Sequence, residues 1–270
     1  MKITILTDNI SKKKGLRAEH GFSAFIDDSY KILFDTGASG LLIENSKKLG
    51  IDLGTTEFTV LSHNHYDHTG GLEKLNFLFT DKKNIIAGKN FFIDKYKKKN
   101  GNFKKISNEF IHQTEIEKKY KLIFVNDIYQ ISENIFIIRL KNGASILKDY
   151  FFIKNSDGDF IPDNFNEEII LVSKKLNELT VLTGCCHTGI EHIINTLKLY
   201  FNGCLLKNIV GGLHLEKTDN AYFERILRIV KNNNIRLFAG HCTGELKLWL
   251  LKSNMQENVE ILEVGKEIIF

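Results

Sequence analysis

Three histidines and an aspartate, His63, His65, Asp67 and His68, fall within residues 61–71, LSHNHYDHTGG. Imidazoles and carboxylates gathered this tightly are typical of metal sites. In an extended segment, residues two apart point to the same side, so His63 and His65 can address one point in space. Asp67 and His68 then address a second point close by. The alternative is a run of solvated loop histidines. With 9 His in 270 residues, chance gives this pattern on the order of once in a thousand chains or fewer, so metal binding is the reading adopted.

An element must carry these residues. Phe58 to Leu61 is apolar and β-prone, while Gly70 and Gly71 allow a tight turn or a close backbone approach. The stretch therefore reads as a strand ending in a ligand-rich loop. Three later segments repeat the arrangement: residues 179–182 run into TGCCHTGI, 205–210 into GGLHL, and 235–239 into GHCTG. Helical spacing follows at about 191–200, 221–231 and 245–251. Four strand ends, each with a histidine just beyond, imply one shared site.

The remaining chain supplies the frame. Lys2 to Thr7, 22–26 and 30–34 alternate as strands of an antiparallel opening sheet. Residues 11–17 form a basic solvated loop. Asp8, Asn9, Glu19 and His20 sit at strand ends, serving either function or local capping. Asp35 closes the third strand, and 38–49 has helical spacing with Gly50 as its stop, so the next strand completes a βαβ crossover. Asp35 is either a group that orients a ligand histidine or a turn carboxylate. Residues 72–94 fit a short helix, a strand near 84–87 and another helical start. The lysine-rich stretch 95–120, with His112 as a surface histidine, reads as a surface excursion. Strands at 122–125, 135–139, 150–153, 168–173 and 179–182 form a second sheet, and 261–270 supplies closing strands.

HNHYDH fits the HxHxDH motif, and the chain resembles the metallo-β-lactamase superfamily. TDN at 7–9, EHGFS at 19–23, LFDTG at 33–37, TGCCHTGI at 183–190, GGLHL at 211–215 and GHCTG at 240–244 narrow the resemblance to one subgroup. That subgroup carries two labels, 7,8-dihydropterin-6-methyl-4-(β-D-ribofuranosyl)-aminobenzene-5′-phosphate synthase and metal-dependent hydrolase of β-lactamase superfamily II. The resemblance covers nearly the whole chain. It implies an α/β fold, the four-layer αββα sandwich, with metals at one edge between two sheets.

It also implies a ligand set. His63, His65 and a later histidine hold one metal; Asp67, His68 and another hold the second. His187 and His241 are assigned as the later two, because both lie in glycine-flanked turns after apolar strands. Many relatives place a bridging aspartate after the TG, where this chain has Cys185. Either the Cys185 thiolate coordinates or the site lacks a protein bridge, and one-ion and two-ion occupancy both stay open. Zinc is the expected ion, with iron or manganese as alternatives. Cys186 and Cys242 read as buried packing residues. His214 either contacts substrate, donates a proton or makes a structural hydrogen bond.

The chemistry expected is hydrolysis of a small ester or phosphoester, probing water made acidic by the metal, with Asp67 positioning that water. The alternative is the synthase of the subgroup's other label, which joins an aminobenzoate-type acceptor to a phosphoribosyl donor. His65 argues against the oxygen-reducing di-iron branch, which has glutamate there, and antibiotic hydrolysis is not expected. Nucleic-acid processing is a third reading, with only the lysines of 95–105 to support it.

Composition bounds these readings. At 43% hydrophobic, 20 Gly and 1 Pro, residues 1–270 read as a single domain with an ample core. Lys plus Arg at 37 against Asp plus Glu at 33 gives +4, too mild to call for nucleic acid or membrane but tolerant of small anions. No apolar run approaches the roughly 18 to 20 residues needed to span a bilayer. Neither a signal peptide nor a disulfide framework is visible, so a cytoplasmic setting is expected.

Overall fold

A strand buried on both faces needs apolar side chains at every position, and residues 169–172, Ile-Ile-Leu-Val, are all buried. Ile169 and Leu171 face one apolar layer, while Ile170 and Val172 face another. Ile32 and Phe34 likewise share the layer of Leu171, and Leu33 faces a third. Burying each such side chain stabilises the fold by about 1.5–3 kcal/mol. Three apolar layers separated by two strand planes demand a four-layer molecule.

The computed structural model describes residues 1–79 and 81–270 and has that architecture. One seven-stranded sheet runs in the order Glu267–Ile269, Lys2–Thr7, Ser23–Asp27, Lys31–Phe34, Phe58–Leu61, Asn84–Gly88, Lys121–Val125. The other runs Val259–Ile261, Arg236–Gly240, Leu205–Gly212, Glu178–Thr183, Ile169–Lys175, Ile135–Arg139, Ile128–Gln130. Helix Leu41–Lys48 covers the first sheet, ended by Gly50 at φ +70°. Helices Ile190–Tyr200, Asn220–Asn232 and Glu245–Met255 cover the second. Among the described residues, no helix is long and apolar enough to cross a membrane.

Parallel pairing is what gathers the chemistry. Lys31–Phe34 runs parallel to Phe58–Leu61, and Glu178–Thr183, Leu205–Gly212 and Arg236–Gly240 are parallel neighbours. In each set the strands end together, and side chains just beyond such ends collect at one edge. Gly184 lets the two sheets' loops meet there, because a Cβ would collide with the Ser62 hydroxyl. Gly70 is required for a similar reason: a Cβ would strike the Ala38 carbonyl.

Four expectations are corrected. Residues 122–125 belong to the first sheet, not the second: Lys121–Val125 follows helix Gln113–Lys119 and pairs parallel with Asn84–Gly88. Phe151–Lys154 leaves the second sheet for a third, four-stranded one, Phe160–Pro162, Phe151–Lys154, Tyr96–Lys99, Asn102–Lys105. The stretch 95–120 is therefore an ordered hairpin and helix. Its Lys95 is buried on Asp163 and Glu167, and Ile106, Ile111, Ile116 and Tyr120 are buried too. Finally, the helical start after residue 88 is a run of turns.

Candidate metal centre

Residue 62 onward leaves its strand into an extended segment, and the short helix Tyr66–Thr69 begins after His65. That change of backbone separates the motif into two parts. The Nε2 of His63 and Nδ1 of His65 lie 3.0 Å apart, while His68 turns toward the second sheet. There its Nε2 meets Cys185 Sγ and His241 Nε2, each at 3.1 Å. His187 Nε2 lies 3.2 Å from His63 Nε2. Asp67 Oδ2 is 3.4 Å from His241 Nε2 and 3.3 Å from His20 Nε2.

Among the described residues, four groups could each hold an ion: His63, Cys185 and His187; His68, Cys185 and His241; Cys185, His214 and Cys242; and His20, Asp67 and His241. Cys185 belongs to three of them. Its sulfur thus stands between the two histidine sets, where the resemblance places a bridging aspartate. His65 joins through His63 at 3.0 Å and lies beside the His187 ring, with centroids 4.9 Å apart.

Hydrogen bonds on the far side of the His63, His68 and His241 rings set their tautomers. The Ser62 hydroxyl donates to Asp35 Oδ2 at 2.7 Å, so it accepts from His63 Nδ1 at 2.9 Å and leaves Nε2 as a bare lone pair. His68 Nδ1 donates to the same Asp35 oxygen at 2.7 Å, and His241 Nδ1 to Asn9 Oδ1 at 3.1 Å. Asp35 is wholly buried and also accepts from the Ser62 backbone N–H. The structure thus gives Asp35 the orienting position and not the turn position.

Two ring nitrogens about 3 Å apart are held there by a proton on one of them or by a metal ion between their lone pairs. Tetrahedral zinc with Zn–N near 2.0–2.1 Å sets its nitrogens about 3.3 Å apart, which matches the 3.2 Å between His187 and His63. Electrostatics agree. Burial drives His63, His65 and His187 well below the ordinary imidazole range, so they are neutral. Burial also opposes charge on His68, but Asp35 and Asp67 outweigh it and raise it to about 9. A positive charge is therefore favoured at this point, as proton or as metal. Burial alone would raise the Asp67 carboxyl, yet bonds from His20 and His241 hold it well below the usual carboxylate range.

Several contributors had no sequence signal. Phe165 lies flat on His187, with centroids 3.7 Å apart and planes at 4°, and Glu168 accepts from the His187 N–H at 2.8 Å. Lys95 locks this loop by bonding Asp163 at 2.8 Å and Glu167 at 2.7 Å. Asp35, Phe165, Cys186, His214 and His241 all have φ between 47° and 56°. Such backbone costs about 1–3 kcal/mol per residue and collects at functional sites. His214 Nδ1 is buried without a hydrogen-bond partner among the described residues. Cys242, expected to be packing, is in the group with Cys185 and His214. His112 is exposed, as expected of it.

The floor of a cavity of about 480 Å³ is formed by His65, Asp67, Cys185, His214, His241 and Cys242. Aromatic and apolar walls rise from it, Phe151 on the third sheet with Tyr150 just before that strand, and Leu248 and Trp249 on the last helix.

The fold and this histidine-rich edge define an αββα protein with a candidate metal centre between its sheets. The family model described as the Metallo-beta-lactamase superfamily matches residues 16–110. Uncharacterized protein MJ0448 of Methanocaldococcus jannaschii is 31% identical over 98% of this chain and 99% of its own length. The 7,8-dihydropterin-6-methyl-4-(beta-D-ribofuranosyl)-aminobenzene-5'-phosphate synthase of the same organism is 25% identical over 99% and 95%. The crystal structure of Tm1679, a metal-dependent hydrolase of the beta-lactamase superfamily, superposes with TM-score 0.84 at 29% identity, covering 100% of this chain and 99% of that one. The chain belongs to the metallo-β-lactamase superfamily.

Proposed function

We propose that this protein is a metal-dependent hydrolase of small ester or phosphoester substrates. One observation carries the reading: two sets of imidazoles converge on a shared Cys185 sulfur at the floor of an open cavity. His63, His65 and His187 would hold one ion, and Asp67, His68 and His241 the other, with Cys185 between them. Imidazole and thiolate donors favour zinc or iron over manganese. The chemistry such a centre supplies is Lewis acidity and water acidified toward neutral pH.

The chain's own groups do the rest. Asp67, gripped by His20 and His241, faces the cavity as a carboxylate and orients the attacking water. His214, at the cavity floor, delivers a proton to the departing oxygen. Phe151 packs on His65, His187 and His214 and keeps bulk water from their rings.

The test is elemental analysis coupled to a panel of phosphomonoesters, phosphodiesters, lactones and thioesters. Activity should vanish with a chelator and return with zinc. A fully zinc-loaded chain that cleaves nothing on the panel overturns the reading. In that event the synthase reading gains, supported by 25% identity across 99% of the chain to the synthase of Methanocaldococcus jannaschii.

A further inference from the structure

Lys95 and Lys97 flank the first residue of strand Tyr96–Lys99, yet only Lys95 is neutralised. Lys95 is buried between two carboxylates, Asp163 and Glu167. Lys97 is half-buried, lines the cavity, and among the described residues has no carboxylate within ion-pair distance. Lys217 on the same cavity rim also lacks an acidic partner among the described residues; its Nζ lies 5.3 Å from the centre of the Tyr150 ring. Tyr150 links the two lysines' segments, since its carbonyl accepts from the Lys98 N–H at 3.0 Å. A third rim lysine, Lys12, is already engaged by Glu263 at 3.5 Å.

The acidic rim residues turn toward the last helix, although Glu216 is the chain neighbour of Lys217. Glu216 packs against Gly244, and Glu245 opens the last helix beside it. The cavity thus has one lysine on the third sheet, Lys97, a second in the loop after Leu205–Gly212, Lys217, and carboxylates at the head of the last helix. An uncompensated lysine in a partly enclosed wall is a recognition group for an anion, because its charge is screened less there than on open surface.

We propose that Lys97 and Lys217, beside Tyr150, form an anion subsite that holds a carboxylate or phosphate substituent of the substrate while the bond to be cleaved rests on the histidine–cysteine floor. This rests on the hydrolase reading for its second half only; the subsite binds with or without turnover. It also gives the third sheet a task, which is to select substrates by charge.

The chain contains 1 Trp, and it is Trp249 on the cavity wall, so its fluorescence reports occupancy. The zinc-loaded full chain is titrated with phenylphosphonate, benzoate and neutral benzamide, with variants compared at equal zinc content. Charge-assisted hydrogen bonds predict that Lys97→Met and Lys217→Met each weaken the anions about tenfold. Benzamide should change less than about twofold, the level at which a lost charge contributes nothing. Lys97→Arg should restore most of the anion binding. Lys217 is exposed, so its replacement spares folding.

A loss confined to phenylphosphonate assigns the subsite to phosphate; a loss confined to benzoate assigns it to carboxylate; loss of both assigns it to charge alone. A double variant that binds both anions as the parent does overturns the subsite. A parent that binds anions yet hydrolyses nothing overturns the hydrolase reading and leaves the subsite standing.

Discussion

The first sheet orients His63 and His68 through a pair of its own residues, Ser62 and Asp35, at 2.7–2.9 Å. The second sheet offers its histidines no such pair. His187 is held by the Phe165 ring and by Glu168 at its backbone, while His241 reaches across to Asn9 on the opposite sheet. One half of the centre is therefore built by a compact hydrogen-bond network and the other by packing and by contact between sheets. The hydrogen-bonded half should tolerate less chemical change, and the packed half less change of shape.

The strongest test of that contrast removes a donor from the hydrogen-bonded half. His63→Ala or Asp67→Ala should strip bound metal and abolish activity while leaving the circular dichroism spectrum nearly unchanged. Full metal content in both variants sinks the ligand assignment. Next comes the group behind the donors. Asp35→Ala frees both His63 and His68 from their tautomers and should weaken metal binding by about 10–100-fold, measured by competition with a chromophoric chelator. An affinity equal to the parent's would show that the network is ornamental.

Cys185 belongs to both halves, so its replacement asks whether they are coupled. Cys185→Ser should lower metal stoichiometry and remove the thiolate charge-transfer absorption of the cobalt-substituted protein. An unchanged spectrum would reduce the thiol to packing. The smallest effect is expected in the packed half. Phe165→Leu removes the flat surface under His187 and should destabilise the fold by about 1–2 kcal/mol, read by urea unfolding. Metal affinity should fall only a few-fold, less than for Asp35→Ala, and the reverse order would refute the contrast.

Much of the architecture was legible because it follows from local pattern. Doubly buried stretches such as residues 169–172 of strand Ile169–Lys175 show as unbroken apolar runs, and Gly50 marks its helix end through a backbone angle other residues avoid. The misplaced strands show the limit. Residues 122–125 and 150–153 have the right pattern for strands, but pattern carries no information about which neighbour a strand will pair with. The same limit hid Lys95, whose surroundings in sequence are basic and polar and whose two carboxylate partners lie in 163–167.

For the candidate centre, side-chain type and strand-end position drew attention to His63, His65, Asp67, His68, His187, His214 and His241, while Cys185 and the division of the set between two ions came from the family resemblance. Asp35 was singled out too, though with two roles open. What only the tertiary structure decided was their partnership: that Cys185 sits between both histidine sets, that Phe165 supports His187, and that Lys97 faces the cavity while Lys95 is neutralised. Donor chemistry belongs to a residue by itself. Distance, burial and the company of a charge arise only when two sheets pack, because each depends on atoms that are far apart along the chain.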